Sequence, residues 1–401
     1  MKLLFVLNIG FDQGGPSVHL LKGVIASALE RGHACHVILK KTNNEKLTGL
    51  EELTARYSEL TVSLIQDIFK GKSGFAKRYL KDCSYAIRCK KVYKDNEYDA
   101  VFLQSCNVGW VFMRGFRCLK CPVIFNIQDI FPQNLMFSRQ LPLAKFTYPL
   151  FLSLQTAAYK RAARLVTISE DMKETLVEQG IARGKIEVVY NWSYADDPIR
   201  LSDMSADQIF DLKKDPHKTN VVYAGNIGKM QNVELIAKTA RLSRADSTVH
   251  YYIIGNGASE TRVAAMVEGL SNVTVMPMQS AIYAESIYAQ ADINVIPLAK
   301  GGIKTALPSK TATVLRTDTY AVFCIDTGSK FEEIAKGGRR VRVTDNVNPS
   351  SLYRVICEVR DGKTANAEGR DIMLLFSKKN ADRYVEIMEC SVLEYGRGSR
   401  K

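Results

Sequence analysis

Short runs of apolar, largely β-branched residues alternate along the chain with longer segments whose apolar positions recur at helical spacing. In the first half the runs are 3–7, 34–39, 61–65, 100–103, 123–127, 165–168 and 186–190, each with the length and continuity of a buried strand. The segments between them read as helices. From Pro16 to Glu30, Val18, Leu21, Ile25 and Leu29 fall on one face, Pro16 suits the first turn and Gly32 suits the stop. Strand and helix in regular succession predict βαβ units and a parallel sheet.

After Tyr190 the pattern breaks into Asn191-Trp192-Ser193-Tyr194-Ala195-Asp196-Asp197-Pro198 and stays polar as far as Asp215-Pro216-His217-Lys218. A second βα series then begins, with strands expected at 221–224, 249–254, 273–276, 293–296 and 321–325. Two doubly wound parallel sheets in tandem make an α/β protein whose ligands bind in a cleft, at the carboxyl ends of the strands. The expected division is 1–200 as one Rossmann-like domain, 215–370 as a second, and 371–401 as a final helix, periodic over roughly 371–389, with a basic tail.

Composition sharpens this picture in two respects. Of 401 residues 46% are apolar and 24% charged, which suits a soluble globular chain. The net charge of +13 is concentrated in residues 1–200, with 28 Lys/Arg against 19 Asp/Glu, and most of all in residues 70–94, with nine cations and the single acid Asp82. Nine scattered cysteines in a chain of this size read as reduced, and the lone pair Cys118 and Cys121 has no second pair to complete a zinc or redox site. No segment has a signal-peptide pattern or a spanning length of apolar residues, so a cytoplasmic protein is expected.

The candidate chemistry sits in loops after strands. The first strand runs into Asn8-Ile9-Gly10-Phe11-Asp12-Gln13-Gly14-Gly15-Pro16, where exposed amides opening a helix favour an anion or a closely approaching ligand; a glycine turn without a ligand has the same sequence. The second series opens on Gly225-Asn226-Ile227-Gly228-Lys229-Met230-Gln231, a place for a diphosphate, and continues to Gly255-Asn256-Gly257, where backbone can approach a base or ribose. A third loop, Lys300-Gly301-Gly302-Ile303-Lys304-Thr305-Ala306-Leu307-Pro308-Ser309-Lys310, is either a phosphate cradle or a solvated lysine loop. Gln128-Asp129 ends the strand at 123–127. Asp129 either positions an acceptor hydroxyl and steers its proton, or caps the turn before Phe131-Pro132. His19, near the first glycine loop, carries no assigned role.

These motifs, together with Arg31-Gly32-His33, Gln128-Asp129-Ile130-Phe131-Pro132-Gln133-Asn134, Val166-Thr167-Ile168-Ser169, Val189-Tyr190-Asn191-Trp192, Tyr223-Ala224-Gly225-Asn226-Ile227-Gly228, Ile254-Gly255-Asn256-Gly257 and Leu307-Pro308-Ser309-Lys310, make the chain resemble family 4 of the retaining glycosyltransferases. Within that family it is similar to bacterial capsule and O-antigen enzymes of the L-fucosamine-transferase type, and the likeness runs over nearly the whole chain. The resemblance implies a GT-B fold, an acceptor on the first domain, a nucleotide-sugar on the second, retention of configuration, and a final helix crossing back. It also implies that no metal or other cofactor is needed, since protein cations would meet the leaving diphosphate, and the chain has no Asp-x-Asp pair.

The donor-binding residues expected on these grounds are Gly14, Gly15, Gly225, Asn226, Lys229, Gln231, Gly255, Gly257, Lys304, Thr305, Ser309 and Lys310. The catalytic candidates are Asp129 and Gln128. The chain departs from the family where arginine and lysine usually follow the second-domain glycine, here Asn226 and Gln231. It departs again where glutamates flank the late loop, with Thr313 at the second position, and where a helix-closing glycine is replaced around Asp318.

In residues 70–94, Phe75, Tyr79 and Ala86 at helical spacing among cations suggest a surface resting on anionic lipid, with Lys77, Arg78, Lys81 and Arg88 as its charges; a solvated helix face is the alternative. The apolar stretch 145–152 either joins that surface or is core. The expected partners are therefore a nucleotide-sugar, most simply UDP-linked, a polyprenyl-diphosphate-linked saccharide, and the inner face of a membrane. Two rivals share features with this reading. A UDP-N-acetylglucosamine 2-epimerase-like isomerase has the same architecture and would carry acids and histidines in its cleft. A basic nucleic-acid-binding protein is suggested by charge alone, and the chain has no interleaved aromatic and basic motif to support it, so no nucleic acid is expected.

Overall fold

The computed structural model describes all residues except 12–15, 42–48, 67–74, 105–119, 139–143, 194–195, 363–371 and 399–401. The chain divides into two units, Met1–Asn191 with Lys378–Lys401, and Trp192–Ser377. Each is a parallel sheet flanked by helices.

The first sheet holds β1 (Lys2–Leu7), β2 (Ala34–Lys41), β3 (Leu60–Gln66), β4 (Ala100–Gln104), β5 (Val123–Ile127), β6 (Arg164–Thr167) and β7 (Ile186–Val188), in the order β3-β2-β1-β4-β5-β6-β7. The second holds β8 (Thr219–Ala224), β9 (Val249–Ile254), β10 (Val273–Met276), β11 (Ile293–Pro297), β12 (Tyr320–Cys324) and β13 (Val341–Thr344), in the order β10-β9-β8-β11-β12-β13. All ladders are parallel. The strand order reverses between β1 and β4 and again between β8 and β11, and open α/β sheets bind ligands at such reversals. Each unit thus has the Rossmann-like, doubly wound topology expected from the sequence.

Every strand expected from the apolar runs is present. β13 was not expected: it is a four-residue edge strand, only partly buried, entered from Gly337-Gly338-Arg339-Arg340, which reads as loop. The final element also differs from its sequence reading. A 3-10 turn covers Ile372–Phe376 and the α-helix proper is Asn380–Gly398. Gly32, with φ +77°, ends the helix Pro16–Glu30 in the left-handed conformation that the sequence suggested.

The helix Asn380–Gly398 lies in the first unit against the helix Pro16–Glu30. Tyr384, Val385 and Met388 are buried there, Ser27 donates to Asp382 at 2.5 Å, Arg31 pairs with Glu386 and Glu389 at 3.2 and 3.1 Å, and Glu389 also reaches His33 at 2.8 Å. Burial of the apolar stripe supplies most of the docking energy, and these half-exposed ion pairs fix its direction. Among the described residues no helix is long and apolar enough to cross a membrane.

Candidate functional site

In the second unit the site begins where β8 and β11 part. The two strands pair only at Val221–Ile293 and Val222–Asn294, so the carbonyl of Ala224 lies beyond their ladder and needs other donors. It accepts from Lys310 Nζ at 2.7 Å and from the Tyr288 hydroxyl at 3.1 Å. The same ammonium lies 3.7 Å from the centre of the Tyr223 ring, a cation–π contact. The Lys310 side chain as a whole is half-buried. Desolvation of its ammonium lowers the pKa from the ordinary lysine value to about 7.

Three loops converge on this point. Gly225 N–H donates to Ile254 O, Ile227 N–H to Asn256 O, and Ser259 N–H to Ile227 O, at 2.8–2.9 Å, which binds the loop after β8 to the loop after β9. Ala299 N–H donates to Met230 O at 2.7 Å and brings in the loop after β11, whose Gly301 N–H is held by both carboxylate oxygens of Asp326 at 2.9 Å. The glycines allow this packing. A Cβ on Gly255 would stand 1.8 Å from Gly225 O, one on Gly257 2.5 Å from Ile227 O, and one on Gly225 2.8 Å from Lys310 Nζ. Gly255 and Gly257 therefore have a packing reason to be glycine, independent of any ligand.

Of the expected donor residues, Gly225, Asn226, Gln231, Gly255, Gly257 and Lys310 come together here. Asn226 Nδ2 donates to Gln231 Oε1 at 3.2 Å, and the Asn226 carbonyl accepts from the Tyr223 hydroxyl at 2.5 Å. Lys229, Lys304 and Ser309 are exposed on these loops, while Thr305 is buried and its hydroxyl donates to Gly302 O at 3.1 Å. Gly14 and Gly15 lie outside the described residues. Tyr223 enters the sequence reading only as part of the Tyr223–Gly228 motif, and Tyr288 and Asp326 not at all, because a helix tyrosine and a loop aspartate have no motif until the carbonyl and glycine they hold are located.

In the first unit Gln128 and Asp129 follow β5. Gln128 is engaged on both sides of its amide: Nε2 donates to Asn126 Oδ1 at 3.2 Å and Oε1 accepts from Asn191 Nδ2 at 2.8 Å. Asn126 Nδ2 continues to Gln104 Oε1 at 2.8 Å, and Asn126 Oδ1 also accepts from the Tyr384 hydroxyl at 3.1 Å. This chain of amides ties β4, β5, the end of the unit at Asn191 and the returning helix into one polar network. Of the pair, Asp129 is the more exposed to solvent.

The basic helix Phe75–Lys94 presents a different face from the expected one. Ala86 is buried, Tyr79 packs edge-on against Phe151 with ring centres 5.1 Å apart, and the Phe75 side chain lies outside the described set. The exposed apolar residues are Leu80 and Ile87, 57% and 61% accessible. Helical spacing puts them in a row with Lys77, Lys91 and Lys94. The one acid, Asp82, accepts from Asn8 Nδ2 at 2.8 Å. Lys81 and Arg88 are half-buried, Arg88 Nε donating to Ser84 O at 3.4 Å, and nothing is described of the Arg78 side chain. On the neighbouring helix Ala144–Arg161, Phe146 and Leu150 are 73% and 57% accessible while Phe151 packs on Phe131 and Tyr79, so the stretch 145–152 is part surface and part core. Cys121 is buried beside the Tyr93 hydroxyl, and Cys118 is outside the described residues.

Two family models cover most of the chain: Glycosyltransferase Family 4 matches residues 14–192 and Glycosyl transferases group 1 matches residues 218–359. Both matched stretches fall to glycosyltransferase family models. Among curated relatives, the "Putative colanic acid biosynthesis glycosyl transferase WcaI" of Escherichia coli is 25% identical over 197 residues, 48% of each chain. The "Probable glycosyltransferase WbjE" of Pseudomonas aeruginosa is 22% identical over 243 residues, 59% of this chain and 60% of that protein. The chain thus spans about half to three-fifths of the length of these curated relatives. In structure, Anabaena Alr3699/HepE in complex with UDP and glucose superposes with a TM-score of 0.69 at 13% identity, over 98% of this chain and all of that chain.

Proposed function

We propose that the protein is a glycosyltransferase that moves a hexose-type sugar from a UDP-linked donor to a lipid-linked saccharide during synthesis of a bacterial capsule, exopolysaccharide or O-antigen. The transfer proceeds with retention of configuration and without a metal ion. The observation that carries the reading is Lys310: an ammonium held at the strand reversal of the second sheet, among three converging loops, where it can meet the charge that develops on a departing diphosphate. The bond from the anomeric carbon to the diphosphate breaks as the bond to the acceptor oxygen forms, the hydroxyl proton of the acceptor leaving with the diphosphate, and Asp129 is the candidate for positioning that hydroxyl. Gln128 acts through the amide network that holds the loop bearing Asp129. The Anabaena structure with UDP and glucose supports a uridine nucleotide. Both histidines of the second unit, His217 and His250, lie at the opposite end of the sheet, just before β8 and early in β9, which speaks against epimerase-like chemistry at the glycine loops.

Thermal unfolding of the protein in EDTA with millimolar UDP, GDP or ADP tests the donor assignment. Ligand that binds only the folded state raises the midpoint, at a hundred-fold excess over Kd by an amount equivalent to about 2.7 kcal/mol. UDP is expected to give a rise of several degrees and to exceed the other two. The absence of a shift with all three would overturn the reading.

The acceptor side of the reading rests on the exposed row of Leu80 and Ile87 among lysines, with Phe146 and Leu150 on the adjacent helix. Such a surface combines attraction to anionic headgroups with apolar side chains that enter the acyl boundary. In sedimentation with vesicles containing phosphatidylglycerol, Phe146→Ser with Leu150→Ser is expected to weaken binding about tenfold or more, since each buried side chain is worth roughly 1.5–3 kcal/mol. Equal partitioning of variant and wild type would remove these helices from the membrane face.

A further inference from the structure

Arg316 follows the short helix Lys310–Val314 and is 7% exposed. Among the described residues it is the only arginine or lysine buried to this degree. A guanidinium taken out of water is costly unless its donors are matched, and here they serve one segment. Nη1 donates to Ser193 Oγ at 2.5 Å, Nε donates to the Asp197 carbonyl at 2.8 Å, and Nη2 donates to that same carbonyl. Glu285 stands 3.7 Å away. The backbone repeats the connection, with Ile199 N–H donating to Arg316 O at 2.8 Å and Ile199 bridging Thr317 in parallel.

Ser193 and Asp197 belong to the stretch by which the chain leaves Asn191, where the first of the two segments of the first unit ends. The return crossing is joined to it: Ser377 Oγ donates to Asp196 at 3.2 Å, and Asn380 Nδ2 donates to Tyr190 O at 2.8 Å. Arg316 therefore joins the crossing segment to the end of the helix whose first residue is Lys310.

We propose that Arg316 is a positioning residue of the donor site, clamping Ser193 and Asp197 against the end of the Lys310 helix so that Lys310 is held at the Gly225 loop. The proposal rests on the donor reading above. Lysine cannot replace this planar fork, because its ammonium cannot supply the same fixed pair of directions to Ser193 and Asp197.

The test is a double-mutant cycle on UDP affinity, measured by calorimetry well below the unfolding midpoint so that only folded protein is compared. Arg316→Lys is expected to weaken UDP binding about tenfold in the wild-type background and to have no further effect in Lys310→Met, because it acts through that lysine. Ser193→Ala, a milder change, should follow the same pattern at a few-fold. In turnover, the donor KM should rise with the acceptor KM unchanged. Wild-type binding of UDP with equal affinity in Arg316→Lys would overturn the positioning role, as would equal losses in both backgrounds. Failure of the wild type itself to bind would instead overturn the donor reading.

Discussion

Lys310→Met is expected to abolish most UDP binding while making the ligand-free protein more stable, two effects of opposite sign from one group. In the free protein the ammonium is desolvated and titrates at about 7, against roughly 10.4 in an unfolded chain. Between those values the unfolded state binds more protons, so stability rises with pH from about 7 to about 10, and the full penalty is present below 7. Replacing the charge by an isosteric apolar chain removes that penalty, so the unfolding midpoint of Lys310→Met is expected above that of the wild type at neutral pH, with the difference shrinking as pH rises towards 10. The substitution leaves the Ala224 carbonyl to Tyr288. Binding moves the other way. A charge-assisted hydrogen bond to a phosphate contributes roughly 1.5–3 kcal/mol, so the loss is about 10- to 100-fold in Kd.

The wild type has a pH signature of its own. A bound diphosphate favours the protonated lysine, so binding takes up a proton above pH 7, and affinity falls with a slope approaching tenfold per pH unit between about 7 and 9. Calorimetry in two buffers of different ionisation enthalpy would measure that uptake. A variant that binds UDP as well as wild type, or wild-type binding without proton uptake at pH 8, would remove Lys310 from the phosphate site.

Gly255→Ala is expected to cost about 3 kcal/mol or more, lowering the midpoint of unfolding by about 10 °C for a unit of this size. Gly255 has φ +154°, which side chains rarely adopt, and its Cβ would stand 1.8 Å from the Gly225 carbonyl oxygen. That oxygen is backbone in a loop fixed by the Gly225–Ile254 and Ile227–Asn256 hydrogen bonds, so relief requires the two loops to separate and Gly225 to leave Lys310. UDP affinity should fall with stability. Gly269→Ala is the control: its φ is +75° with nothing within 4 Å of the new Cβ, so only the left-handed backbone penalty of about 1–2 kcal/mol applies. Equal midpoints for the two variants in denaturation by heat would show that the close approach of the loops is not a constraint.

Sequence alone determined the parallel α/β architecture, because apolar runs of strand length separated by 3.6-residue periodicity have few other ways to bury their surfaces. It also located the loops at the strand ends, since glycines after a strand and before a helix mark sharp backbone turns wherever they occur. Edge strand β13 escaped because Val341–Thr344 is short, half-exposed and preceded by two glycines and two arginines. Lys229, Lys304 and Lys310 were equivalent as sequence, and only the tertiary structure separated them: the parting of β8 from β11 leaves the Ala224 carbonyl needing a donor, and Lys310 alone is shown reaching it. The outward face of the basic helix was likewise undecided until packing chose it. Tyr79 is drawn to Phe151, so Leu80 and Ile87 point to solvent. Gln128 and Arg316 obtain their roles from Asn191, Ser193 and Asp197, in the first case across 63 residues and in the second across 119 or more. Periodicity reports how a residue relates to its near neighbours along one element; which carbonyl lacks a partner, and which distant cation reaches it, is settled only when the elements are assembled.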